Sequence, residues 1–276
     1  MRKYMNWMVI GGALLIGVPA AYATDGFSLG TGINNSSGNY GTSTTTGIWS
    51  VPVAATYRSD RWSFGLSVPY VSVSGSGNVI PGTGPVDNTN PLGRGLDQLL
   101  GGSSTTGGNT STASTAASGL GDVVASAGYD VISSAGRSYG LILTSKVKFG
   151  TANVNMGLGT GQNDYGLSLD SYKTMGKWTP FGGVGWTNYG SSPYIKLNNG
   201  MNANAGVDYR FETNDNLGVA YNYRQRIAAG GAAQSEVTAY WNHKFNDRVR
   251  LQGQALGGMT NGSPDWGVGT SINYRF

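Results

Sequence analysis

The chain has 276 residues, 18 Lys plus Arg against 14 Asp plus Glu, and a formal net charge of +4. Charged residues are 12% of it, half of the roughly 25% usual for a soluble domain, while Gly occupies 46 positions and Cys none. Those figures exclude an ordinary charged globule surface, disulfides, thiolate metal sites and thiol nucleophiles. Collagen is excluded too, because Gly has no three-residue period.

The first segment reads as a secretory signal. Arg2 and Lys3 give a basic start, Met8 to Pro19 an apolar stretch, and Ala21-Tyr22-Ala23 a small-x-small cleavage site. The stretch is shorter than the about 20 apolar residues of a spanning helix. The expected organisation is therefore a signal peptide at 1–23 and a single domain at 24–276. Loss of Arg2 and Lys3 lowers the net charge from +4 to +2, so nothing in the charge calls for a nucleic-acid partner.

From residue 26 onward the dominant pattern is period-two alternation. It predicts twelve strands, near 26–35, 46–58, 61–73, 120–133, 138–150, 164–174, 177–189, 201–212, 216–227, 235–245, 248–258 and 265–276. Trp62, Phe64, Leu66, Val68 and Tyr70 alternate with Ser63, Gly65, Ser67 and Pro69, and Trp266 to Phe276 repeats the pattern most cleanly. The connections alternate between tight turns and longer loops. An exported chain with no second apolar run of spanning length enters a membrane only as a closed barrel, since lipid leaves no backbone group unpaired. An even strand count, both termini on the short-turn side and long loops opposite define a bacterial outer-membrane barrel: all-β, transmembrane, antiparallel, about twelve strands. A soluble β-sandwich or solenoid also alternates, but its polar face would be charged; here that face is Gly, Ser, Thr and Asn. Tyr and Trp at strand ends suit the membrane interface.

The longest loop, 74–119, is expected on the extracellular side. Asn90-Pro91 starts a candidate helix in which Leu92, Leu96, Leu99 and Leu100 share one face and Gly101-Gly102 ends it. Such an apolar turn would dock either into the barrel mouth as a constriction or against a neighbouring loop. Residues 103–118, rich in Ser, Thr, Gly and Ala, carry too little apolar surface to fold alone.

If apolar faces meet lipid, opposite parity defines the lumen. The permeation candidates are Asp122, Lys146, Lys148, Asp164, Asp208, Arg210, Arg224, Arg226, Glu236 and Arg250, because a Lys or Arg facing lipid at midplane costs about 2–4 kcal/mol. Antiparallel pairing would set Asp122 opposite Lys148 and Arg226 opposite Glu236. Two readings stay open: an eyelet that orders permeants, or pairs that neutralise each other and stiffen the wall.

Motifs for covalent chemistry are lacking. The only His, His243, shares parity with Trp241 and Phe245 and should face outward, away from a Ser–His hydrolase arrangement. Gly157-Leu158-Gly159-Thr160-Gly161 precedes a strand rather than a helix, so it reads as a flexible loop and not a phosphate cradle. Acidic clusters with calcium-loop spacing are absent, so no metal or cofactor is assigned and no enzyme activity is expected.

Three motifs carry a family resemblance: Gly119-Leu120-Gly121-Asp122 opening a strand, Lys146-Val147-Lys148-Phe149-Gly150-Thr151 closing the next, and Gly157 to Tyr165 leading into another. From about residue 119 to the end, the chain resembles the outer-membrane family associated with the meta-pathway of phenol degradation. In that family Pro often precedes the Gly-Thr turn, where Phe149 stands here. The resemblance implies a passive channel for small hydrophobic or aromatic compounds. Distant relatives imply an amyloid-type polypeptide secretion pore, but they carry an N-terminal coiled coil, which this chain is not expected to have. A structural or adhesive barrel acting through its loops is the third reading. The terminal Tyr274-Arg275-Phe276 resembles the insertion signature of outer-membrane proteins. It implies recognition of Tyr274 and Phe276 by the barrel-assembly machinery, with outer-membrane lipid and lipopolysaccharide as surroundings and a small molecule as permeant.

Overall fold

The structure is a computed structural model and describes residues 25–91, 93, 116–133 and 138–276. The expected signal peptide and the Leu92, Leu96, Leu99 and Leu100 segment lie outside the described residues.

Fifteen strands are present among them: β1 (Gly26–Gly38), β2 (Thr46–Ser59), β3 (Trp62–Ser74), β4 (Val79–Ile80), β5 (Gly84–Pro85), β6 (Ala117–Leu120), β7 (Val123–Ser133), β8 (Tyr139–Phe149), β9 (Asp164–Lys173), β10 (Trp178–Asn188), β11 (Gly200–Arg210), β12 (Asp215–Arg224), β13 (Gln234–Lys244), β14 (Val249–Gly258) and β15 (Trp266–Arg275). β4 and β5 form a separate hairpin in the long loop. All the others join one antiparallel sheet. It closes because β1 pairs with both β15 and β2, leaving no edge. β6 and β7 are two halves of one barrel strand, so the barrel has the twelve strands that alternation predicts. No helix occurs among the described residues.

The break between β6 and β7 has a local cause. Pro69 in β3 offers no N–H to the ladder and instead accepts from Gly121 N–H at 2.8 Å. The register moves from Tyr70↔Leu120 to Ser67↔Val124 across this point, so the β6–β7 side carries one extra residue. This is a β-bulge. On the other side of β7, a second irregularity between Asp130 and Ile132 shifts the register with β8, and Val124 rather than Asp122 stands directly opposite Lys148.

Turns at the two ends differ in chemistry. At the short-turn end Asp60 takes φ 50° and Gly176 takes φ 65°, left-handed values tolerated by these residue types. Both barrel termini lie at this end. The opposite end carries the loops 39–45, 150–163, 189–199, 225–233 and 259–265, together with the described residues 75–91, 93 and 116 of the longest loop.

The outer surface is layered. Val51, Val53, Leu66, Leu167, Val184, Val219 and Val268 form an exposed apolar belt. Trp62, Tyr57, Tyr139, Trp178, Tyr274 and Phe276 ring it at the short-turn end, and Trp49, Tyr70, Tyr165, Trp186, Tyr223 and Trp266 ring it at the other. Amphipathic rings above and below an apolar belt mark the two interfaces of a bilayer. The alternate residues face inward and are buried although polar, among them Asn34, Ser50, Asp170, Asn204, Asn222, Gln252 and Asn273.

Candidate functional site

The long loop folds back into the barrel mouth. Ile80 pairs with Gly84, and Pro81-Gly82-Thr83 makes the turn between them, with Gly82 at φ 77° and Gly84 at φ 87°. A three-residue hairpin loop commonly needs such a left-handed glycine. Val79 and Ile80 are fully buried. Val79 packs with Tyr40, Ile48, Val73 and Leu158, while Ile80 packs with Val86, Ile195, Leu197 and Ile227. The hairpin is thereby wedged between two apolar clusters that line opposite sides of the mouth. Further along, Thr89 N–H donates to Tyr194 O at 3.0 Å and Asn90 Nδ2 to Asn155 Oδ1 at 3.1 Å. At the tip, Arg224 Nη2 donates to Thr83 O at 2.5 Å. The described part of the loop thus supplies a constriction through residues 79–86, while the leucines named from the sequence lie outside the described residues.

Beneath the tip lies a cavity of about 180 Å³. Its floor and walls are lumen residues of β8–β11, including Thr144, Lys146, Ser168, Thr187 and Asn202; its roof is Pro81 and Gly82. Pro69, Val71, Val124 and Leu158 give one side an apolar character. Five charged residues line it: Asp122, Lys146, Lys148, Asp164 and Arg224.

These five are not equivalent. Lys148 Nζ lies 3.1 Å from Asp122 and 2.9 Å from Asp164, and donates to Thr160 Oγ1 at 3.1 Å. The carboxylates are further held by loop backbone, Asp122 by Ala152 N–H at 2.9 Å and Asp164 by Gly190 N–H at 3.0 Å. This cluster ties the bulged strand, β8, β9 and two loops together, so Lys148 fits the wall-stiffening reading. Lys146 sits two residues deeper, and its ammonium makes no ion pair or hydrogen bond with the other described residues. Arg224 is buried, and its Nε has no acceptor.

The remaining candidates are scattered through the lumen. Asp208 accepts from Asn216, and Glu236 from Gln234. Arg210 Nη2 donates to Gly176 O at 3.2 Å at the short-turn end. Arg250 faces inward on β14, in the row opposite Lys244 and Asn273. Arg226 corrects the parity reading: β12 ends at Arg224, Arg226 is exposed, and Glu236 stands opposite Asn222. The reason is local. Ile227 and Ala228 turn inward under the hairpin, and Ile227 O accepts from Asn198 N–H at 2.7 Å, which draws residues 226–228 out of the ladder.

Sequence reasoning missed three inward rings. Tyr172, Phe181 and Tyr240 face the lumen, each directly across from a glycine on the next strand: Gly140, Gly206 and Gly218. A Cβ on any of these glycines would strike the facing ring. The rings therefore lie flat along the inner wall instead of projecting across it. The aromatic at inward parity opposite glycine was the available signal. For the hairpin, the signal was the run Val79-Ile80-Pro81-Gly82-Thr83-Gly84-Pro85, an apolar pair followed by turn residues.

Two sequence motifs receive definite places. His243 is on the outward face, its Nδ1 2.8 Å from Asp215 Oδ1, which also accepts from Trp241 Nε1 at 2.9 Å. The Gly157–Gly161 segment is a packed loop: Leu158 and Thr160 are 2% and 1% exposed, and β9 rather than a helix follows. No group of metal-ligating side chains occurs among the described residues.

A closed twelve-strand barrel with an apolar belt and two aromatic girdles is the outer-membrane β-barrel fold. The chain is similar to the outer membrane channel from Pseudomonas putida F1, with 16% identity, coverage of 92% of this chain and 97% of that one, and a TM-score of 0.62. The β domain of the Bordetella autotransporter BrkA matches at 13% identity, 92% and 100% coverage and a TM-score of 0.51. The KdgM porin matches at 10% identity, 90% and 99% coverage and a TM-score of 0.50. No family model matches the chain, and no curated protein does. Channels, a porin and an autotransporter share this fold, so function is argued from the site.

Proposed function

We propose that the protein is a passive channel of the bacterial outer membrane for small, single-ring or similarly compact hydrophobic compounds. The observation that carries this reading is the cavity of about 180 Å³ held inside the barrel by the 79–86 hairpin. A dry cavity of about 150 Å³ is enough for benzene, so one small ring fits and a sugar oligomer or a polypeptide does not. The P. putida structure named an outer membrane channel supports the same reading through the shared fold. A secretion pore would need a lumen free of an anchored hairpin, and an adhesive barrel would not need a cavity beneath one at all.

Permeation on this reading requires no covalent step. The permeant enters from the long-loop side past the hairpin, rests against Val71, Val124 and Leu158, and moves on along the row of Tyr172, Phe181 and Tyr240. The outward Tyr274 of β15 and the terminal Phe276 after it serve recognition by the barrel-assembly machinery, and the long-loop rim faces lipopolysaccharide.

The test is reconstitution in planar bilayers and liposomes, with the intact chain compared with a variant in which residues 78–86 are replaced by a Gly-Ser linker. The intact protein should pass small aromatics above the leak of protein-free vesicles, and the variant should show a larger conductance and lose discrimination by solute size. Absence of conductance and of uptake in both proteins would sink the channel reading.

A further inference from the structure

Resting on the channel reading, we infer that the cavity under the hairpin is a selectivity site for compact monocarboxylates, with Lys146 as the group that receives the carboxylate. Three cations and two carboxylates line it. Both carboxylates, Asp122 and Asp164, are already engaged by Lys148 and by loop backbone N–H groups. What is left with free donor capacity is cationic: the Lys146 ammonium and Arg224 Nε. Ser50 Oγ, also on the lining and buried, has no partner either.

Neighbouring acids offset this surface only in part, Asp170 being the one that acts on Lys146. Asp170 accepts from Ser168 Oγ at 3.0 Å and from Asn204 Nδ2 at 3.3 Å, and Glu236 accepts from Gln234. Neither acid is part of the cavity lining. Asp170 acts on the Lys146 charge from beyond ion-pair distance; a half-buried cation with so remote a counter-ion is costly, and a channel wall could have carried Met or Gln at position 146 instead. A passing carboxylate recovers that cost in the form of a charge-assisted hydrogen bond. The apolar side, Pro69, Val71, Val124 and Leu158, then takes the hydrocarbon end. The site is thus amphipathic in the way a benzoate-like solute is: one charged end, one apolar end, and a volume close to one ring.

Benzoate and its neutral isostere benzamide test the inference. Uptake into proteoliposomes at neutral pH, corrected for protein-free vesicles, should favour benzoate over benzamide by about tenfold. Lys146→Met should lower benzoate uptake by about tenfold and leave benzamide within about twofold, while Lys146→Arg should keep the preference. Heat-modifiable gel migration confirms that each variant is a folded barrel; if Lys146→Met does not fold, Lys146→Gln serves in its place. Equal passage of both solutes, or an equal fall of both on removing the charge, overturns the carboxylate site while the channel stands. Passage of neither solute overturns the site and the channel together.

Discussion

The outer and inner walls of this barrel are made by the same strands, one residue apart, yet they obey different rules. On the outer wall Val53, Leu167, Val184, Val219 and Val268 are exposed and largely interchangeable, because lipid asks only for apolar surface between the two aromatic rings. On the inner wall particular residues have assigned neighbours: Lys148 has two carboxylates, Arg224 Nη2 has Thr83 O, and Tyr240 has Gly218. The difference teaches where specificity resides. A wall facing a uniform solvent is defined by composition, whereas a wall facing itself is defined by pairs.

The largest effect should come from breaking the most connected inner pair. Lys148→Met leaves Asp122 and Asp164 facing each other without a cation. Removing one partner of a buried ion cluster costs about 3–5 kcal/mol, and urea unfolding from bilayers should show a loss of this size. The fit of Met in the same space separates charge from volume. A loss below about 1 kcal/mol would show that the triad is solvated like a surface pair.

A smaller effect is expected from the outer wall, and it should depend on depth alone. Val219→Arg places a guanidinium in the belt and should cost about 2–4 kcal/mol, whereas Tyr223→Arg, in the ring at the long-loop end on the same strand, should cost about 0–1 kcal/mol. The same unfolding measurement compares the two. Equal costs would mean that Val219 does not lie at the centre of the belt.

This contrast also explains what the sequence made legible. The outer wall is written in period two, so twelve strands, their parity and the ring positions of Trp62, Trp178 and Tyr274 could be read directly, with ends within a few residues. The lumen parity of Lys146, Lys148 and Asp164 followed from the same pattern. Partnership did not, because it depends on register between strands. The irregularity between Asp130 and Ile132 left Val124 opposite Lys148, and the departure of residues 226–228 from the ladder took Arg226 out of the lumen. The hairpin at 79–86 was hidden for another reason. It has only two ladder pairs of its own and is held by Ile195, Ile227 and Leu158, which are distant in sequence.

The abundance of glycine, at 46 positions, gains a specific meaning from the inner wall and supplies the subtlest test. Gly218 is directly opposite Tyr240, and the ring occupies the space that a side chain at 218 would fill. Gly218→Ala therefore forces the ring off the wall. Overpacking of this kind costs about 1–3 kcal/mol, and the displaced ring should also narrow the lumen and lower the conductance. Tyr240→Ala in the Gly218→Ala background removes the clash, so the double variant should be less unstable than the two single losses added together, by about 0.5–3 kcal/mol. Simple additivity would instead mean that the ring has room to move and that glycine at 218 serves only the backbone. A non-additive result would make each inward glycine facing a ring half of a pair, as specific as the ion cluster above it.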